Sequence, residues 1–214
     1  MSEGSKFFIV TDSSCDLPQW LLDTYKDFAL CPLTFTIDGE VNPDLDNKAF
    51  YDRLRNGSRS KTSQVTPGAF LEVFRKAAND GMDVLYVGFS SGLSGTVESG
   101  FTAAEIVGRE FPERKFVVID TLSASCGEGC LVDKAVELRD SGKTLEETAA
   151  WIEQNKLNLH HWYTVDDLHL IFLVMSDDVC EHRVVYRARA ETAAGAKQQR
   201  TVVKAELAAA FRLV

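Results

Sequence analysis

The chain has 214 residues, 45% of them hydrophobic, and a net charge of −9 at pH 7. That suffices to bury the core of one large or two small domains, and so acidic a balance excludes the basic stripe of a nucleic-acid surface. It has no apolar run of the roughly 18 residues that a membrane helix needs, and an acidic body suits anionic lipid headgroups poorly, so no membrane insertion is expected.

The first residues pass into a strand-like run without a signal-peptide core, and the five cysteines are odd in number and scattered. Together these predict a cytoplasmic protein with free thiols. The first strand is Lys6-Phe-Phe-Ile-Val10, which ends in Thr11-Asp12-Ser13-Ser14. Asp16 stands where it can cap a helix, with Pro18 just inside the start. Ala29 to Ile37 alternates weakly as a strand, Asp38-Gly39 supplies a hairpin turn toward Val41, and an acidic loop over 42–46 leads into a short helix ending near Gly57.

Lys61-Thr-Ser-Gln-Val-Thr-Pro67 looks too polar and too interrupted for a strand. Thr66 caps the next helix, Pro67 takes its first position, and the helix runs to Asn79. Lys61, Thr62, Ser63 and Gln64 are donors that this helix does not need for capping, which suggests binding, although a solvated linker has the same composition.

Val84-Leu85-Tyr86-Val87 fits a strand buried on both faces, after which the chain turns through Gly88, Ser90, Ser91 and Gly92. Ser94 is the expected N-cap of the following helix, whose apolar positions are Val97, Phe101, Ala104 and Val107. Free amides, hydroxyls and a helix dipole at one strand end favour an anion. The spacing matches neither the P-loop nor G-x-G-x-x-G, so a nucleotide is disfavoured. Gly88-Phe-Ser-Ser-Gly92 does match G-x-S-x-G, with Ser90 as a nucleophile, yet the helix begins too late for a strained elbow. A serine-glycine turn that only caps the helix is the plainer alternative.

Lys115-Phe-Val-Val-Ile-Asp120 is another buried strand with a polar end, and Gly127 and Gly129 then let the backbone approach something closely. Cys126 and Cys130 share a helix face and read as small core residues sooner than as metal ligands. Further helices are expected over 131–139 and 145–154, the second with Thr144 and Glu147 as a capping box, and a last strand over His160 to Val165. Alternating strands and helices predict an α/β fold, a parallel sheet with helices on both faces. At about residue 169 the composition changes, from a net charge of −11 before it to +2 after it. The segment from Arg187 to Arg212 is rich in alanine and could be helical.

Thr11-Asp-Ser-Ser14, Lys61-Thr-Ser-Gln64, Ser90-Ser-Gly-Leu-Ser-Gly-Thr96, the Asp120 strand end and Thr164-Val-Asp-Asp-Leu168 stand in the order seen in DegV-family fatty-acid-binding proteins. The resemblance covers residues 1–168 and implies an N-terminal α/β domain, with 169–214 a divergent tail. It implies a cofactor-free protein that is not an enzyme: it wraps a long-chain fatty acid and presents the carboxylate to a fatty acid kinase. By the same resemblance Thr62 and Ser94 hold the carboxylate, and Ser13, Ser63, Ser91, Gly92 and Gly95 line the site. Such proteins continue into a Gly-Gly-Arg turn, a second domain and a His motif, none of which follows here, and a reading-frame change near His169 is the expectation. Without a second wall the acyl tail would stay half wet and be held weakly. The alternative from another class is a serine hydrolase of Ser90, Asp120 and His160 or His161, although the two histidines open a strand.

Overall fold

The computed structural model describes residues 7–161 and the backbone of two later strands. In chain order the elements are β1 (Phe7–Asp12), α1 (Gln19–Leu22), β2 (Phe28–Cys31), β3 (Thr34–Ile37), β4 (Glu40–Val41), α2 (Asn47–Arg55) and β5 (Ser60–Ser63). Then come α3 (Pro67–Asn79), β6 (Asp83–Gly88), α4 (Thr96–Glu110), β7 (Phe116–Asp120), α5 (Ser125–Asp140), α6 (Leu145–Asn155), β8 (Arg183–Arg187) and β9 (Val202–Glu206).

The body is a parallel sheet in the order β2-β1-β6-β7. Val84, Leu85, Tyr86 and Val87 are all buried, because alternate side chains of β6 enter different cores. Leu85 and Val87 join Phe7, Ile9, Leu131, Val132 and Ile152 on the α5–α6 face, while Val84 and Tyr86 join Phe70, Phe74, Val97 and Val107 on the α3–α4 face. The expected α/β fold with helices on both faces is therefore present, and its parallel strands are the near-continuous apolar runs that double coverage requires.

Capping follows the sequence in places. Thr66 Oγ1 accepts from Ala69 N at the start of α3, and Thr144 and Glu147 form the capping box of α6. Asp38 and Gly39, both at positive φ, turn β3 into β4.

Other expectations are corrected. Ser60–Ser63 is a strand, β5, paired antiparallel with β3, so polar side chains did not prevent it. Pro32 has no amide hydrogen to give a ladder, and the expected strand over 29–37 is two strands on either side of it, β2 and β3. Asp16 is left-handed at φ 49° and does not cap α1, and Pro18 is the N-cap residue instead of lying inside the helix. Phe101 is exposed, because the buried stripe of α4 runs through Val97, Gly100, Ala103 and Val107, with Gly100 giving way to the Tyr86 ring. Cys126 and Cys130 are exposed and not core, since α5 turns Gly129, Leu131 and Val132 inward.

The strand expected over 160–165 lies mostly outside the described residues, and His160 and His161 belong to no element. Within the segment expected to be helical, Val202–Glu206 is a strand antiparallel to Arg183–Arg187, in keeping with its β-branched start.

Candidate functional site

The carboxyl ends of β1, β6 and β7 meet at one edge of the parallel sheet, where ligand crevices of open α/β sheets lie. Asp12 organises this edge. Its carboxylate is buried and accepts from Tyr86 Oη at 2.8 Å, Phe89 N at 3.2 Å and Ser14 N at 3.0 Å. The end of β1 is thereby tied to the start of the β6–α4 loop. Burial and the Asp12 charge push the Tyr86 phenol well above its ordinary pKa, so it stays a donor.

The β6–α4 loop spends its amides on itself and on the neighbouring strand ends. Ser91 N donates to Asp120 Oδ1, Gly92 N to Ser90 Oγ, and Leu93 N and Ser94 N both to Ser90 O. The amides of Ser91 to Ser94 are thus all taken, because the turn is too tight to leave them outside. Ser90 is completely buried. A nucleophile elbow presents its serine, whereas here the Ser90 hydroxyl closes a turn. Asp120 likewise holds two backbone amides, those of Ser91 and Leu122. His160 is exposed, and the ring of His161 lies against Gly127 on the first turn of α5, at a point where any Cβ would collide with it.

What the loop offers a ligand is its hydroxyls and the start of α4. The N-cap position of that helix is Gly95, one residue later than expected, and Ser94 Oγ accepts from Thr96 N at 3.2 Å. Thr96 Oγ1 accepts from Val65 N at 3.4 Å and lies 2.9 Å from Ser94 Oγ. With the Thr96 hydroxyl donating to Ser94, both acceptor sites of Ser94 Oγ are occupied. The hydroxyl hydrogen of Ser94 is then free to point outward.

Val65 closes the Lys61–Gln64 segment, so this relay also joins that segment to the α4 terminus. Thr62 and Ser63 are exposed on β5, opposite Phe35 and Thr34. Gln64 rests on Gly95, where a Cβ would run into Gln64 Oε1. Ser13 is half-buried, and its Oγ accepts from Leu33 N at 2.9 Å. The structure thus brings Ser91, Gly92, Ser94 and Gly95 together on one loop, links Thr62 and Ser63 to it through Gln64 and Val65, and sets Ser13 at the neighbouring strand end.

Sequence reasoning missed Glu128. It lies in the first turn of α5, fully buried, with Oε1 3.2 Å from Thr11 Oγ1 and no partner for Oε2. Thr11 has one hydrogen and gives it to Val87 O at 2.9 Å, so the contact with Glu128 is satisfied when Glu128 is the protonated donor. Burial first, and the Asp12 charge second, push its pKa up to about 10. A glutamate between two glycines at a helix start looks like an exposed first-turn acid. Only Gly129, packed 2.5 Å from Cys15 O by the position of its would-be Cβ, reveals how close α5 comes to the β1 end. Among the described residues no group of three or more His, Cys, Asp or Glu is placed to hold a metal ion, and no helix is long and apolar enough to cross a membrane.

This sheet edge, with hydroxyls from two loops and a helix start beside them, belongs to an open-sheet α/β domain. A family model described as "Uncharacterised protein, DegV family" matches residues 6–172, and the chain belongs to that family. A DegV domain-containing protein of Clostridium perfringens is 39% identical over 171 residues, which cover 76% of this chain and 57% of that protein. The structure of a DegV family protein from Thermus thermophilus, described by its fatty acid binding, is 34% identical with a TM-score of 0.61, covering 71% of this chain and 53% of that one. A stearic acid-binding protein from Eubacterium ventriosum is 25% identical with a TM-score of 0.63, over 69% and 52% of the two chains. The chain spans just over half the length of the curated relatives it matches.

Proposed function

We propose that the chain carries the carboxylate-binding face of a long-chain fatty-acid-binding protein, and that the bound carboxylate is presented to a partner fatty acid kinase. Thr62 and Ser94 hold the carboxylate, and Ser13, Ser63, Ser91, Gly92 and Gly95 line its surroundings. The observation that carries this reading is the Val65–Thr96–Ser94 chain of contacts, which fixes the Ser94 hydroxyl beside the α4 terminus; with Thr96 donating, the Ser94 hydrogen is left for an anion. The fatty acids named for the Thermus thermophilus and Eubacterium ventriosum proteins support the ligand class. The acyl tail adds about 0.8 kcal/mol for each methylene it buries. The same reading makes 1–168 the domain that carries the site and 169–214 a divergent tail.

Carboxylate binding is tested by titrating sodium decanoate against the isotope-labelled chain and following backbone amide shifts. The expected result is saturable shifts at 61–64 and 91–96. Ser94→Ala and Thr62→Ala should each weaken binding by about 1.5 to 3 kcal/mol, the worth of a hydrogen bond to a charged group. Shifts elsewhere, or shifts that both variants leave unaltered, would refute the assignment. Covalent labelling of Ser90 by a fluorophosphonate would favour a hydrolase instead.

A further inference from the structure

The excursion from Thr34 to Ser63 stands apart from the rest of the body. None of its residues enters either core cluster, whereas Leu33 and Val65, which flank it, both pack in the cluster on the α3–α4 face. It has a small centre of its own in the buried Ile37 and the edge-on rings of Phe35, Phe50 and Tyr51. Among the described residues its hydrogen bonds and ion pairs close on itself. Asn42 N donates to Phe35 O at 2.8 Å, Asp38 N to Arg59 O at 2.9 Å, and Arg53 pairs with Asp38 and Glu40.

Its two ends are held by hydroxyls of the body. Ser13 Oγ accepts from Leu33 N at 2.9 Å, and Thr96 Oγ1 accepts from Val65 N at 3.4 Å. One more contact lies beside the second end, the Gln64 carboxamide against Gly95. Gly95 has φ −75° and ψ 10°, on the negative-φ side that residues with side chains occupy. The backbone therefore does not call for glycine there; room for the Gln64 carboxamide does.

We infer that residues 34–63 form a flap that opens as one locally unfolding unit bounded by Leu33 and Gln64–Val65, and that Gln64 seated in the Gly95 socket is the latch that holds it closed beside the α4 terminus. The flap carries Thr62 and Ser63, so opening draws them away from Ser94, and a ligand bridging Thr62 and Ser94 favours the closed state by its contacts to both sides. The flap and its latch follow from the packing; that opening admits a carboxylate rests on the function proposed above. A segment outside the shared core opens by local unfolding, at lower free energy than the sheet.

Native-state amide hydrogen exchange on the full chain tests this. Amides of β3, α2 and β5 should exchange together, about 100-fold faster relative to their intrinsic rates than those of β1 and β6. Gly95→Ala fills the socket and should speed flap exchange about tenfold while leaving β1 and β6 unchanged. Gln64→Ala removes the latch from an exposed position and should do the same, and the double variant should exchange no faster than either single one, because both remove one contact. Flap amides as protected as those of β1, single variants that speed β1 and β6 equally, or a double variant whose effect is the product of the two, would each overturn the latch. Sodium decanoate should slow flap exchange in the unaltered chain. A flap that behaves as expected but ignores decanoate would sink the carboxylate reading and leave the flap standing.

Discussion

The parallel body and the 34–63 excursion reach order by different routes. Strands β1 and β6 are buried on both faces and fixed by side-chain packing. Strand β5 is exposed at every position and is a strand because it lies against β3, Phe35 opposite Thr62 and Ile37 opposite Ser60. Packing that reaches across the molecule makes the body a single cooperative unit, whereas contacts that close on themselves leave the excursion free to open alone.

The comparison is broken most directly by removing a core ring. Phe74 is fully buried, with ring centroids 5.8 Å from Phe70, 6.1 Å from Phe116 and 6.4 Å from Tyr86. Phe74→Ala should cost about 3 to 5 kcal/mol in chemical denaturation and raise exchange throughout β1 and β6, the flap included. A loss confined to α3 would show that the body is not one unit.

A second test concerns the body's own internal cost. Folded Glu128 has a pKa of about 10 against the usual 4.5, so between those values the folded chain keeps a proton that the unfolded chain releases. Glu128's contribution to stability is fully present below pH 4.5 and lost as pH rises toward 10. The slope is on the order of 1 kcal/mol per pH unit. Glu128→Gln keeps a donor for Thr11 without the proton. It should match the unaltered chain near pH 5 and exceed it by roughly 3 to 4 kcal/mol at pH 8 in urea titrations, and equal gains at both values would show that Glu128 is not the titrating group.

The smallest effect belongs to the excursion. Phe50 lies 5.6 Å from Phe35 and 5.4 Å from Tyr51 in edge-on geometry. Phe50→Ala should lower the opening free energy of 34–63 by about 1 kcal/mol, read as faster exchange in α2 and β3, and leave the denaturation midpoint of the body where it is. A midpoint shift as large as that of Phe74→Ala would join the two regions into one unit.

The same contrast explains what the sequence disclosed. Apolar runs announced β1, β6 and β7, and the residues of the β6–α4 loop announced a polar strand end, because in the body local pattern and tertiary environment agree. Strand β5 was hidden, since its identity is written in the pairing residues of β3 and not in its own Ser60-Lys-Thr-Ser63. Glu128 was hidden too: a carboxyl is buried only when a distant hydroxyl, here Thr11, waits for it. The Gln64–Gly95 contact joins a segment whose donors were noticed to a glycine assigned only to the lining, and nothing in either stretch names the other.

Cys15 and Cys31 give these differences a chemical readout. Burial pushes both thiols up to about 12, aided at Cys31 by the Asp12 charge and at Cys15 by those of Glu128 and Asp12, so neither is a thiolate at neutral pH. Cys15 sits in the α5–α6 core and Cys31 in the α3–α4 core, while Cys126 and Cys130 stand outside. Among the described residues each face of the sheet thus covers one silent alkylation site, and in a body that opens as one unit the two become reactive at the same denaturant concentration.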